Sequence, residues 1–254
     1  MNQKTAFITG ATSGIGEATA KLFAQNNIQL ILCGRREEKL LSLKKELNKY
    51  TNVVTLQFDV RDKTAVFNAV NSLPEQFQNI DILINNAGNA HGLSAIQDGD
   101  IDDWDAMIDG NVKGLLYVSK AILPQMVAAN SGFVVNIGSI AGKEVYPNGN
   151  IYCASKYAVN ALNKAMRIDL NKHNIRVCAI HPGAVETEFS EVRFKGDKNR
   201  AEKVYEGFKA LQANDIADII YFVVTRPYHV NIEDLIVYPT AQASATILNK
   251  EEGF

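Results

Sequence analysis

The chain has 254 residues, 46% of them apolar, and a formal net charge of −2 at neutral pH. Open α/β sheets of this length commonly form one unit, so a single domain over residues 1–254 is expected. The near-neutral balance excludes a general attraction to nucleic acid or acidic membranes, and no apolar stretch reaches the roughly 18 residues of a membrane span.

Lys4 to Thr9 (KTAFIT) reads as a short buried strand, which leaves no room before it for a signal peptide. The string TGATSGIG, Thr9 to Gly16, follows and leads into a helix over 14–26. Strand, glycine turn and helix in succession are the context that a nucleotide motif requires. Gly10, Gly14 and Gly16 let the backbone turn tightly and approach a pyrophosphate facing the helix N-terminus. Thr12, Ser13 and Ile15 belong to the same predicted cofactor loop. A second strand over 28–33 completes the first β-α-β unit.

Gly34, Arg35 and Arg36 come directly after that strand. An acidic residue there would hold the ribose 2′-hydroxyl of NAD, and none is present. Two arginines instead suit the 2′-phosphate of NADP through charge-assisted contacts. The alternative is that they open the helix RREEKLLSLKKEL and pair with its own acids, Glu37 to Glu46.

Further strands are expected over 53–58, 81–84, 132–138, 175–181 and 234–238. Helices are expected over 36–49, 62–72, 101–130 with a break near Gly110, 152–172 and 214–225. Such alternation predicts a doubly wound parallel sheet of about seven strands, helices on both faces, and a switch point between the first and fourth strands. The polar segment 184–212 interrupts the alternation and reads as a substrate lid.

Tyr152 and Lys156, in YCASK, lie one helical turn apart and share a face. Tyrosine is a poor base at neutral pH, and a neighbouring ammonium would lower its pKa. Ser139, in NIGSIAG, brings a hydroxyl that can hold a substrate oxygen. Together these residues form a proton-transfer device for a carbonyl/alcohol pair. The three cysteines show no close pairing, as in a cytoplasmic protein with reduced thiols, and the four histidines show no metal-ligand spacing.

The glycine loop and YCASK, in this order, resemble the short-chain dehydrogenase/reductase family over nearly the whole chain. Further marks are Asp59 after the third strand, NNAG (Asn85 to Gly88) after the fourth, Asn111 in DGNVKG, and Pro182 and Gly183 after the sixth. The resemblance implies a catalytic tetrad of Asn111, Ser139, Tyr152 and Lys156. It implies that Asp59 and Val60 bracket the adenine and that Asn86 meets the adjacent ribose. Tyr152 and Lys156 would also contact the cofactor, together with Pro182, Gly183, Val185 and Thr187. Lys156 would lower the tyrosine pKa, and Asn111 would hold a water linking Lys156 to solvent. Homotetramers built on the helices near 112–130 and 152–172 are also implied.

The lid string TEFSEVRFKGD, then KVYEG and HVNIEDL, is similar to one subgroup, the NADP-dependent 3-hydroxy acid dehydrogenases that oxidise L-allo-threonine, serine and related acids. NIDILINNAG and IDDWDAMIDGN fit it too. Such a substrate needs a cation for its carboxylate, and Arg193 and Lys195 are the candidates; both facing solvent is the alternative. Rival functions are a broader carbonyl or 3-oxoacyl reductase and a non-catalytic nucleotide sensor. Intact Ser139, Tyr152 and Lys156 argue against the sensor.

Overall fold

The computed structural model describes residues 3–250, so the extreme ends of the expected 1–254 domain lie outside it. Seven parallel strands form one sheet: β1 (Thr5–Thr9), β2 (Gln29–Gly34), β3 (Val53–Gln57), β4 (Ile82–Asn85), β5 (Gly132–Ile137), β6 (Ile175–Pro182) and the last, β9 (Asp234–Val237). Their order is β3-β2-β1-β4-β5-β6-β9. The chain therefore winds outward from β1 in one direction and then, from β4, in the other. Crossovers leave opposite faces at β1 and β4, and their diverging carboxyl ends open a crevice.

Alternation along each strand feeds two cores. Ala6 and Ile8 of β1 pack on one side with Phe23 of α1 (Gly14–Gln25), Leu40 and Leu43 of α2 (Glu37–Leu47), and Ile216 and Ile220 of α9 (Ala213–Val224). Phe7 points the other way, among Val66 of α3 (Lys63–Asn71), Val118 and Ile122 of α5 (Leu115–Ala128), and Val159 of α6 (Asn150–Leu170). Period-two side chains with both faces covered explain why β1 and β2 read as nearly continuous apolar runs. Each fully buried Phe, Leu or Ile contributes roughly 1.5–3 kcal/mol.

The expected break near Gly110 takes another form. The chain runs from α4 (Ile101–Ile108) through a π-helical turn at Asp109–Gly114 into α5. One wider turn leaves the helix continuous while rotating its face, and such turns recur at functional sites. Asn111 sits in it, 2% exposed.

Segment 184–212 is folded. It holds β7 (Val185–Glu186), α7 (Phe189–Arg193), α8 (Lys198–Glu202) and β8 (Leu211–Gln212), and β7 pairs with β8 in parallel. That small sheet ties the two ends of the segment together beside the mouth of the crevice. No helix among the described residues is long and apolar enough to cross a membrane.

Candidate active site

The crevice beyond the strand ends is a cleft of about 510 Å³. Gly10, Thr12, Ser13, Gly14 and Ile15 line its floor, with Arg35, Arg36, Asp59, Val60 and Asn86 at one end. Ser139, Tyr152 and Lys156 line the other end, beneath Pro182, Gly183, Val185, Thr187 and Arg193. Residues from nearly 200 positions of sequence thus converge at the switch point.

The glycine loop is shaped for close approach. Gly14 has φ of +52°, and a Cβ there would lie 3.2 Å from Thr187 Cγ2. A Cβ on Gly16 would run into the Gly10 carbonyl oxygen and the Asn86 amide. Ser13 precedes α1 yet makes no side-chain cap bond. The first N–H groups of a 12-residue helix are therefore open to an anion. These features fit the pyrophosphate of a dinucleotide.

Asn86 lines the cleft and its side-chain amide also ties the glycine loop. Its Nδ2 donates to the Thr9 carbonyl at 2.8 Å and to the Gly10 carbonyl at 3.2 Å. The amide is committed to holding the glycine loop against β4. Thr9 Oγ1 reinforces this, accepting from the N–H groups of Asn86 and Ala87.

Arg35 and Arg36 do not pair within their own helix. Arg35 reaches Asp59 at 3.7 Å, and Arg61 binds the same carboxylate at 2.7 Å. Burial raises the Asp59 pKa, but the Arg61 and Arg35 contacts outweigh it and the carboxyl stands below its ordinary value. Arg36 donates to Thr12 Oγ1 and O, to Ser13 Oγ, and to Glu188 Oε2. Its guanidinium is thus fixed at the end of β2, against the glycine loop, where a 2′-phosphate would arrive.

At the other end of the cleft, Ser139 follows β5 and its Oγ accepts from Ala141 N–H at 3.1 Å. Tyr152 and Lys156, on α6, are both buried. Lys156 Nζ donates to the Ile137 carbonyl at 3.0 Å and lies 5.9 Å from the Tyr152 ring centre. The environment of the Tyr152 phenol pulls both ways. Burial pushes the phenol up, Tyr146 adds to this, and only the Ser139 hydrogen bond and the Arg193 charge pull down. Burial also draws Lys156 down to about 8. The ammonium donates to the Ile137 carbonyl on the neighbouring strand.

Asn111 Nδ2 donates to the Asn89 carbonyl at 2.8 Å and to Ser155 Oγ at 3.0 Å, while its Oδ1 accepts from Asn89 N–H. It therefore links the π turn, the loop after β4 and α6. A Cβ on Gly88 would press on Asn111 Oδ1 at 2.7 Å and approach Lys156 Nζ at 3.8 Å, which places both side chains together.

Arg193 projects from α7 over this end. Its Cζ is 5.5 Å from the Tyr146 ring centre and 5.7 Å from that of Tyr152. Nε donates to the Gly92 carbonyl, and Gly92 N–H donates back to the Arg193 carbonyl at 2.9 Å. Nη2 is buried with no hydrogen-bond partner among the described residues. Lys195 instead turns to Asp103 and Asp100, at 3.0 and 3.4 Å.

The family model described as short chain dehydrogenase matches residues 4–198. The chain belongs to this family. Among its relatives is an NADP-dependent 3-hydroxy acid dehydrogenase, YdfG, of Salmonella typhi, 46% identical over 94% of this chain and 96% of that one. Sulfoacetaldehyde reductase 2 of Chromohalobacter salexigens is 44% identical over 93% and 94%. A solved structure, the closed form of serine dehydrogenase complexed with NADP+, superposes with a TM-score of 0.92 at 42% identity, covering 98% of this chain and 100% of that one. Membership makes the protein an oxidoreductase of the short-chain dehydrogenase type.

Sequence reasoning missed several residues of this dehydrogenase site. Phe189 packs against Tyr152 with ring centres 5.6 Å apart and the rings tilted by 57°, and Tyr146 walls the pocket beside Arg193. Behind Ser139, the fully buried His181 ring places Nδ1 3.2 Å from the Ser139 carbonyl oxygen. Only the histidine before Pro182 had a local signal, a polar residue at the end of an apolar strand.

Proposed function

We propose that this enzyme transfers a hydride between NADP and the 3-hydroxyl (or 3-oxo) carbon of small 3-hydroxy acids such as serine or L-allo-threonine. The observation that carries the substrate class is the free, buried Nη2 of Arg193 above Tyr152. A buried guanidinium N–H without an acceptor is costly, and an anion can complete it. A substrate carboxylate does so while its hydroxyl reaches Tyr152. The relatives named above support this reading: a 3-hydroxy acid dehydrogenase, and a reductase named for a sulfonated aldehyde, which also carries an anion.

NADP is supported by Arg35 and Arg36 at the end of β2, and by relatives named for it. When bound, the cofactor supplies the hydride acceptor or donor. The protein's own residues manage the proton. In reduction the Tyr152 phenol gives its proton to the substrate oxygen held by Ser139; in oxidation the same group, as phenolate, takes that proton back. The proton must then travel outward, and Lys156, with Asn111 behind it, is the buried polar route toward solvent. Lys156, near neutrality in its proton affinity, can give and accept at physiological pH. Segment 184–212 acts as the lid, with Phe189 and Arg193 as its inner face.

The enzyme works in the cytoplasm as a homotetramer. Three buried free cysteines support a reducing compartment. Exposed Leu116 on α5 with Tyr157 and Ile168 on α6 support assembly through those helices. The test of function is turnover with a panel: serine, L-allo-threonine, other 3-hydroxy acids and their methyl esters, with NADP and with NAD. Turnover of esters equal to that of acids would favour the broader carbonyl or 3-oxoacyl reductase. No turnover of any substrate would favour a nucleotide sensor.

A further inference from the structure

Glu188 is the residue immediately before α7, between Thr187, which packs on Gly14, and Phe189, which packs on Tyr152. Its carboxylate does not face solvent alone. Oε2 accepts from Arg36 Nη1 at 2.7 Å, and Oε1 accepts from Lys39 Nζ at 2.7 Å. One carboxylate from the lid thus spans two cations, one at the end of β2 and one in the first turn of α2, about 150 residues earlier in the chain. Arg36 in turn is pinned by Thr12 and Ser13 of the glycine loop, so its position is preset.

The charge count shows what this arrangement does. Arg36 and Lys39 carry +2 and Glu188 carries −1. A phosphate monoester carries nearly −2 near neutral pH. With Glu188 in place, the phosphate would meet a half-neutralised site and a carboxylate within a few ångströms; like charges that close repel. With Glu188 displaced, the phosphate balances both cations. The 2′-hydroxyl of NAD carries no charge and gains nothing from the exchange.

We infer that Glu188 is an internal competitor for the 2′-phosphate: in the cofactor-free enzyme it occupies Arg36 and Lys39, and it sets how strongly the enzyme discriminates between NADP and NAD. Lys39 is then a third cation of the phosphate site, beside Arg35 and Arg36. Displacing Glu188 also releases the N-terminal end of α7, so phosphate binding and the freedom of the lid are one equilibrium. Just past the other end of α7, Lys195 pairs with Asp100 and Asp103. This inference rests on the proposal that the 2′-phosphate binds at the end of β2.

The experiment measures dissociation constants of NADP, NAD and adenosine 2′,5′-bisphosphate by calorimetry for the wild type, Glu188→Gln and Arg36→Ala. Thermal melts confirm that each variant folds. Gln keeps the size and removes the charge. Glu188→Gln should tighten NADP and the bisphosphate by roughly three- to tenfold, the range set by two partly exposed ion pairs, and leave NAD within twofold. If it leaves the NADP to NAD ratio unchanged, or weakens NADP, while Arg36→Ala still weakens NADP selectively, the competitor role is overturned and the phosphate site stands. If Arg36→Ala weakens both cofactors equally, the phosphate site itself is wrong, and the competitor role falls with it.

Discussion

Lys156 donates its Nζ to the carbonyl of Ile137, two residues before Ser139, at 3.0 Å. The bond joins α6 to the end of β5, so the two segments that carry Ser139 and Tyr152 cannot shift independently. It also means that Tyr152 is a buried phenol without a direct cation on its oxygen. In the cofactor-free state burial favours its protonated form.

Tyr152→Phe removes the hydroxyl and little else, because the ring keeps its contact with Phe189. Losing a positioned acid/base costs about 10²–10⁴ in rate. NADP affinity and melting temperature should stay close to wild type. Turnover within a few-fold of wild type, measured by absorbance of the reduced nicotinamide, would refute the proton-transfer role.

Arg193→Ala should raise KM for 3-hydroxy acids with a small change in kcat, since the carboxylate is held alike in ground and transition states. A charged hydrogen bond is worth roughly 1.5–3 kcal/mol, so an increase of tenfold or more is expected. Steady-state kinetics on an acid and its methyl ester separate the outcomes. Equal loss on both would mean that Arg193, through Gly92, only holds the lid.

Replacing Arg35 and Arg36 together by Ala should weaken NADP at least tens-fold while NAD changes less. Part of the NAD loss will be real, because Arg36 also braces Thr12 and Ser13. Titration of both cofactors gives the ratio, and an unchanged ratio would remove the 2′-phosphate from the end of β2.

His181 makes acid stability testable. Burial, with the Lys143 charge, lowers its pKa from 6.5 to about 4, although Asp234 at 3.4 Å opposes this. The folded state therefore favours the neutral ring. Between pH 4 and 6.5 the unfolded chain binds the extra proton, so stability is full above 6.5 and falls as pH drops toward 4. The contribution is roughly 3 kcal/mol. Denaturant melts of wild type and His181→Asn should show a shallower pH slope for the variant in that window. Equal slopes would mean that His181 titrates alike in both states.

Much of this protein was legible from local pattern. The sheet strands and the main helices lie within a few residues of expectation, because apolar periodicity and glycine punctuation act over short spans. The glycine loop and the Tyr152–Lys156 pair are also local: a helix N-terminus and a helix face fix their geometry without reference to the rest of the chain. The π turn at Asn111 was read only as a break, since one inserted residue per turn leaves no distinct composition.

Tertiary structure decided what depends on partners distant in the chain. Arg36 could as well have paired with Glu37 to Glu46; the fold brought Glu188, from segment 184–212, to it instead. Only the fold put the Thr9 and Gly10 carbonyls within reach of the Asn86 amide. Between Arg193 and Lys195, the sequence favoured Arg193 only because a guanidinium can bind both carboxylate oxygens. A short helix turned one over Tyr152 and the other toward Asp103. Residue type sets what a side chain can do, but burial and the nearest opposite charge set its pKa and its partner, and both are products of the packed fold.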